Sequence, residues 1–244
     1  MKRRLFGRSL LAVAVLGSAC CSDSSEPLYK DVSQPVERRI DDLMGRMTLR
    51  EKIGQMCQFV GLEHLRMAER NATPEEIRDG HAQGYYPGYH STDILRMVEA
   101  GEASSFFHVV TPEEANYLQG LAQKSRLQIP LIIGIDAIHG NGLYSGATIY
   151  PTSIGQAATF DPDLVERLCR ETALEMRAMG AQWTFNPNVE VARDARWGRC
   201  GESFGEDPLL VGRMGAASVR GYQGADFTGT DRVIACAKHF VGGS

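Results

Sequence analysis

Residues 129–140 read IPLIIGIDAIHG. The run from Leu131 to Ile135 shows no apolar–polar alternation, so both faces of this segment are apolar. That is the pattern of a strand in a parallel sheet covered on both sides. The run stops at Asp136, and His139 follows three residues later. Four further segments read as strands: CQFV (57–60), SSFFHVV (104–110), QWTFNP (182–187) and VIACAKHF (233–240). Between them lie helical signals. Val36, Ile40, Leu43, Met44 and Met47 recur at helical spacing, with Ser33 as a cap and Pro35 in the first turn. Thr48 and Glu51 form a capping box that opens a second short helix, TLREKIGQM. Thr111 and Pro112 start a helix running to Lys124; Asp161 and Pro162 open another that Gly180 ends; residues 207–220 form a third. Residues 61–100, with the turn cluster GYYPGYH, read as a long excursion.

Strands followed by helices imply an α/β fold with a parallel sheet. Both a doubly wound sheet and a (β/α)8 TIM-like barrel have this order. About five strands are present, where a closed barrel needs eight, and the chain ends at VGGS directly after a strand. The expectation is therefore a (β/α)8 barrel that is incomplete in this chain.

In such folds, side chains at the C-terminal strand ends converge on one pocket. Here Asp136 and His139 follow one strand, Asn186 and Asn188 a second, and Lys238 and His239 a third. Arg193, Asp194, Arg196 and Arg199 lie just beyond the second. A single charged strand end is ordinarily a solvated rim; three of them imply a polar pocket. The glycine-rich GIDAIHGNGLYSG lacks both the Gly-Lys-Ser/Thr end of a phosphate-binding loop and the GxGxxG spacing. His64, His81, His90 and His108 form no HxxxH or HExxH pair, so no metal and no cofactor are expected. Trp183 reads as core, Trp197 equally as loop packing or as a platform for a sugar ring. Tyr85, Tyr86 and Tyr89 read as a substrate rim or simply as a turn with exposed aromatics.

The start, MKRRLFGRSLLAVAVLGSACC, has a basic end, an apolar run and small residues before Cys20. Residues 1–19 read as a secretory signal, too short to span a membrane. The pattern resembles a bacterial lipoprotein signal, which implies lipidation of Cys20; plain cleavage and secretion is the alternative. Residues 20–32 then form a flexible tether. The expected location is the periplasm or an outer-membrane lipoprotein, with membrane contact only through that lipid. Losing Lys2, Arg3, Arg4 and Arg8 with the leader takes the net charge from −4 to −8. An acidic remainder argues against nucleic-acid binding. A hydrophobic content of 43% excludes a disordered chain. Cysteines at 20, 21, 57, 169, 200 and 236 contain no CxxC pair, which excludes a zinc module.

Five segments together resemble glycoside hydrolase family 3: MTLREKIGQM (47–56), IPLIIGIDAIHG (129–140), YPTSIGQAATFDPDLVERLCRETALEMRAMG (150–180), RDARWGRCGESFGEDP (193–208) and CAKHFVGG (236–243). The resemblance implies that residues 33–244 are the N-terminal part of that family's barrel domain. It implies an exo-acting, retaining hydrolase of terminal β-D-glucosides, with an oligosaccharide or β-glucoside as partner. Position by position, Asp136 would bind two hydroxyls of the terminal sugar, and Arg199, Lys238 and His239 would donate to others; His139, Arg196 and Trp197 are outer candidates. The family's nucleophile, an Asp, lies in an SDW-like segment beyond the KHF motif, and its acid/base, a Glu, in a following domain. Both are therefore expected beyond Ser244, and no catalytic residue is expected within residues 1–244; Asp194 and Glu202 receive no such role. KHFVGGS differs from the KHFPGHG of the branch that cleaves N-acetylglucosaminides. The alternatives are a β-xylosidase of the same family, a non-catalytic carbohydrate-binding lipoprotein, and an unrelated barrel enzyme.

Overall fold

A computed structural model describes residues 26–82, 84–226, 229–240 and 242–243. The leader, Cys20 and the first part of the tether lie outside the described residues. So does Ser244, the residue beyond which the sequence reading expects the nucleophile and the acid/base, and no described residue bears on that expectation. The chain divides into two units, one up to Arg46 and one from Met47 onward.

In the first unit, a 3-10 turn at Leu28–Lys30 precedes helix α1 (Val36–Arg46). Residues 28–30, at the end of the predicted tether, are tied to that helix. The Tyr29 amide donates to Asp42 at 3.1 Å, and Arg39 Nε donates to the Tyr29 carbonyl at 2.9 Å. Ser33 does not cap α1 as expected; its hydroxyl donates to Asp31 at 2.7 Å instead. A nearby Asx side chain offers this hydroxyl a closer acceptor than the helix end does.

The second unit begins with the predicted capping box. Glu51 N–H donates to the Thr48 hydroxyl at 3.2 Å, Thr48 N–H donates to Glu51 at 2.7 Å, and α2 (Leu49–Gly54) follows. Strand β1 (Gln58–Val60) leads through α3 (Leu62–Asn71), α4 (Pro74–Arg78) and α5 (Ser91–Glu99) to β2 (Ser105–Phe107). Then come α6 (Pro112–Ala122), β3 (Ile132–Ile135), α7 (Ser153–Ala157), α8 (Pro162–Met179), β4 (Trp183–Thr184) and α9 (Pro208–Gln223). The excursion is more helical than expected. α3 buries Leu62, Leu65 and Ala68, and α5 buries Ile94 and Val98. Two or three apolar residues per helix are enough for packing but too few to show a period. Tyr86 pins the rest: its hydroxyl accepts from the Val60 amide at 3.0 Å, and its ring meets Phe59 edge-on at 5.2 Å.

The four strands are all parallel and lie in the order β1-β2-β3-β4. A doubly wound sheet reverses its strand order; a sheet that advances by one neighbour at each crossover is an arc of a barrel. The fifth expected strand, at 233–240, runs parallel beside the extension of β4 as an interrupted ladder. Trp183 pairs with Ile234, but Asn188 pairs with Lys238, so one extra residue lies on the β4 side. Pro187 sits within that stretch and has no amide to give to a ladder, which is where a bulge belongs.

Phe106, Ile133 and Ile135 of the sheet are fully buried. Leu118 of α6, Val165, Ala173 and Met176 of α8, and Met214 and Ala217 of α9 complete the core on the helical side. α9 approaches α8 closely at Gly221, where any Cβ would run into the Glu166 carbonyl and the Cys169 side chain.

Candidate functional site

Asp136 follows β3 directly, and two other strand ends deliver its partners. Lys238 Nζ donates to Oδ1 at 2.7 Å, and His108 Nε2 lies 2.8 Å from Oδ2. Burial pushes the Asp136 carboxyl up, but hydrogen bonds from His108 and Lys238, with their charges, outweigh it and hold the group below the usual aspartate value. Asp136 is therefore an anion at neutral pH. An ionised carboxylate has about four lone-pair positions; His108 and Lys238 engage one on each oxygen.

A second chain of contacts lies beside the first. Arg199 forms a fork with Glu202, Nε to Oε1 at 2.9 Å and Nη2 to Oε2 at 2.6 Å. That bond pulls the Glu202 carboxyl down and the Arg199 guanidinium up. Arg199 Nη1 lies 3.3 Å from His239 Nε2, and His239 Nδ1 lies 3.0 Å from Glu190 Oε2. A guanidinium only donates and a carboxylate only accepts. With Arg199 donating to Nε2, the hydrogen of the His239 ring sits on Nδ1 and goes to Glu190. The Glu190 side chain is only 3% exposed, and its Oε1 has no hydrogen-bond partner.

The structure thus brings together the four principal predicted residues. Asp136 bonds Lys238, Arg199 contacts His239, and Lys238 and His239 are neighbours in the chain. The outer candidates are placed elsewhere. Arg196 is 90% exposed and forks onto Asp194 at 3.0 and 3.1 Å. His139 Nδ1 meets the Tyr150 carbonyl at 3.0 Å, while the Tyr150 amide donates to the His139 carbonyl at 2.8 Å; this histidine latches its own loop. Trp197 is half-buried in the turn between Asp194 and Cys200. The other tryptophan, Trp183 of β4, packs edge-on against Phe185 at 4.6 Å.

Sequence reading missed two members. His108 ends an apolar run, SSFFHVV, as Asp136 does, and that shared position was the available signal. Glu190 alternates with Val189 and Val191 just after β4, which marks a side chain facing opposite to both. Two cavities open at this edge of the sheet. One of about 670 Å³ is lined by Val60, His64, Phe107 and His108 among others; one of about 430 Å³ is lined by Glu190, Lys238 and His239. Both are of the size that holds a small molecule. Among the described residues, no group of three His, Cys, Asp or Glu side chains can hold a metal ion. No helix among them is long and apolar enough to cross a membrane, and Cys57, Cys169, Cys200 and Cys236 are free thiols.

An all-parallel sheet in sequential strand order is part of a TIM-like barrel, and its polar side chains gather at the C-terminal edge, where such barrels carry their sites. The chain belongs to glycosyl hydrolase family 3: the model of that family's N-terminal domain matches residues 48–244. A periplasmic beta-glucosidase of Salmonella typhimurium is 32% identical over 203 residues, covering 83% of this chain and 23% of that protein. A beta-xylosidase of Formosa agariphila is 43% identical over 135 residues, covering 52% of this chain and 19% of that protein. A variant beta-glucosidase from Listeria innocua, solved in complex with laminaribiose, superposes with a TM-score of 0.65 at 31% identity, covering 84% of this chain and 26% of that one. The chain thus spans between 19% and 26% of the length of these relatives.

Proposed function

We propose that the protein is an exported glycosidase that releases terminal glucose from β-D-glucosides by retaining hydrolysis, and that Asp136, Lys238, Arg199 and His239 hold the sugar to be released. The observation that carries this reading is the Asp136 carboxylate. It is anionic, and each oxygen spends one lone pair on a protein donor and keeps the other. A vicinal diol has two O–H donors at the matching separation and fits such a carboxylate in a bidentate way. Lys238 spends one N–H on Asp136, and Arg199 spends three of its five on Glu202 and His239. The remaining N–H groups suit sugar oxygens. The His239 ring is set beside that guanidinium by its contacts with Arg199 and Glu190.

Retaining hydrolysis needs one carboxylate as nucleophile and a second, of raised pKa, as proton donor. Asp136 and Glu202 are both held below their ordinary values. Neither is suited to give a proton at neutral pH, so neither is the proton donor. The two reacting carboxylates are assigned to sequence beyond Ser244, on the family resemblance alone. Export rests on the leader at residues 1–19. The β-xyloside reading is the second one, supported by the similarity to the Formosa enzyme.

The test is calorimetric or NMR titration of glucose, xylose and laminaribiose into the chain and into its Asp136→Ala variant. Glucose is expected to bind more tightly than xylose. Asp136→Ala should weaken binding by more than about tenfold, the effect of losing hydrogen bonds to a charged group. Equal binding by Asp136→Ala, or no sugar binding by the wild type, overturns the assignment. Tighter binding of xylose transfers it to xylosides.

A further inference from the structure

We infer that His108 is the positioning residue of Asp136: it holds the carboxylate's second oxygen and so fixes the carboxylate in place for a sugar diol. This rests on the reading of Asp136 as the sugar-gripping group. The argument starts from the backbone. β2 ends at Phe107, and His108 turns into the left-handed region with φ +56°. Non-glycine residues seldom adopt that conformation, and it persists only where the surroundings impose it. Here the His108 amide still donates to the Gly134 carbonyl of β3 at 2.9 Å. Its own carbonyl lies against Gly61, where a Cβ would collide with it. The left-handed turn takes residue 108 out of the strand's alternation and sends its imidazole across to the end of the next strand.

Two other rings lie against this one. Phe107 meets it edge-on with centroids 5.0 Å apart, and the His64 ring lies 6.0 Å away. Nε2 points at Asp136 Oδ2, 2.8 Å away, while Lys238 holds Oδ1. With both oxygens held by different strand ends, the carboxylate cannot swing about its last torsion. The His108 ring also lines the 670 Å³ cavity, together with His64 and Phe107. The ionisable groups coupled to Asp136 are Lys238, His108, Arg199 and Glu202. Of these four, Lys238 and His108 hydrogen-bond to it.

The experiment compares wild type, His108→Gly and His108→Gln. Glycine removes the ring and tolerates the left-handed backbone, so the fold is retained; cooperative melting checks this. Glutamine restores a side-chain N–H donor of similar reach. The primary readout is a ¹³C NMR titration of the Asp136 carboxyl, which needs no sugar. Loss of a donor to the ionised form should move the Asp136 titration to higher pH in His108→Gly, with return toward wild type in His108→Gln. The second readout is sugar affinity. His108→Gly should bind glucose about tenfold more weakly at neutral pH, with the acid limb of binding displaced upward in the same way. An unchanged Asp136 titration in His108→Gly overturns the inference. If the titration moves as expected but the wild type binds no sugar, the positioning stands and the sugar-binding assignment falls.

Discussion

Replacing Tyr222 by phenylalanine removes one oxygen atom from the centre of this domain. The Tyr222 hydroxyl donates to the Ala137 carbonyl at 2.9 Å and accepts from Asn186 Nδ2 at 2.9 Å. It ties α9 to the residue after Asp136 and to the loop after β4. Tyr222, Ala137 and Asn186 are 1%, 0% and 2% exposed, so water cannot replace the hydroxyl without repacking. Burial pushes the phenol well above its ordinary value, so it stays protonated and able to donate. The variant strands one buried acceptor and one buried donor. At about 1–3 kcal/mol for each stranded group, partly offset by relaxation, the cost is about 2–4 kcal/mol. For a unit of about 200 residues, where 1 kcal/mol shifts Tm by about 2–4 °C, melting should fall by about 5–15 °C. Circular dichroism melting and urea unfolding measure it, with an unchanged m-value confirming that the native state is lost in the same single step. Tyr117→Phe, at an exposed position on α6, is the control and should stay within about 0.5 kcal/mol. A Tyr222→Phe variant as stable as that control would refute the argument that this hydroxyl joins the helical layer to the site.

Asp136 and Glu202 are both held below their ordinary values, so the folded protein binds their protons less readily than the unfolded chain does. The stability they contribute is complete above the unfolded carboxylate values, near pH 4, and is lost as pH falls through the lower folded ones. Urea midpoints of the wild type should therefore drop steeply below about pH 4, and Asp136→Asn should show a shallower drop; parallel curves would count against the pairing. Gly140 has φ +104°, and a Cβ there would overlap the Thr148 carbonyl. Gly140→Ala should displace the 139–150 loop and reduce sugar affinity and stability together, by about 2 kcal/mol or more in urea unfolding; a wild-type midpoint would show that the loop yields freely. Cys169 is buried, and burial pushes its thiol up to about 11. Site-resolved alkylation at pH 8 should label the half-buried Cys57, Cys200 and Cys236 before Cys169, which should react only at the rate of unfolding; early labelling of Cys169 would place it nearer the surface.

The helix boundaries were legible because their causes are local. Asp161 caps α8 through the Leu164 amide with Pro162 in the first turn, and Gly180 closes it at φ +104°. Asp207 and Pro208 do the same for α9, and Thr111 and Pro112 for α6. α3 and α5 escaped because their buried faces are short and rely on the sheet for stability. The interrupted ladder at 233–240 escaped because strand regularity depends on the partner. Pro187, far away in sequence, removes a donor that residues 233–240 cannot know about.

The site divides along the same line. Sequence by itself placed Asp136 at a strand end, and Lys238 and His239 at the end of an apolar extended segment, because apolar runs and their charged stops are covalent facts of each segment. It also determined the membership of the family through the combination of GIDAIHG, RWGRCGESFGEDP and AKHF. Only the tertiary structure decided which groups meet. His108 reaches Asp136 across 28 residues, Glu190 reaches His239 across 49, and Lys238 reaches Asp136 across 102. Those pairings set the position of the Asp136 carboxylate, the hydrogen-bond roles of the His239 ring and the N–H groups left for a ligand. They follow from which strands lie side by side and how each one turns at its end, and a hydrogen bond at 2.7–3.0 Å is sensitive to both.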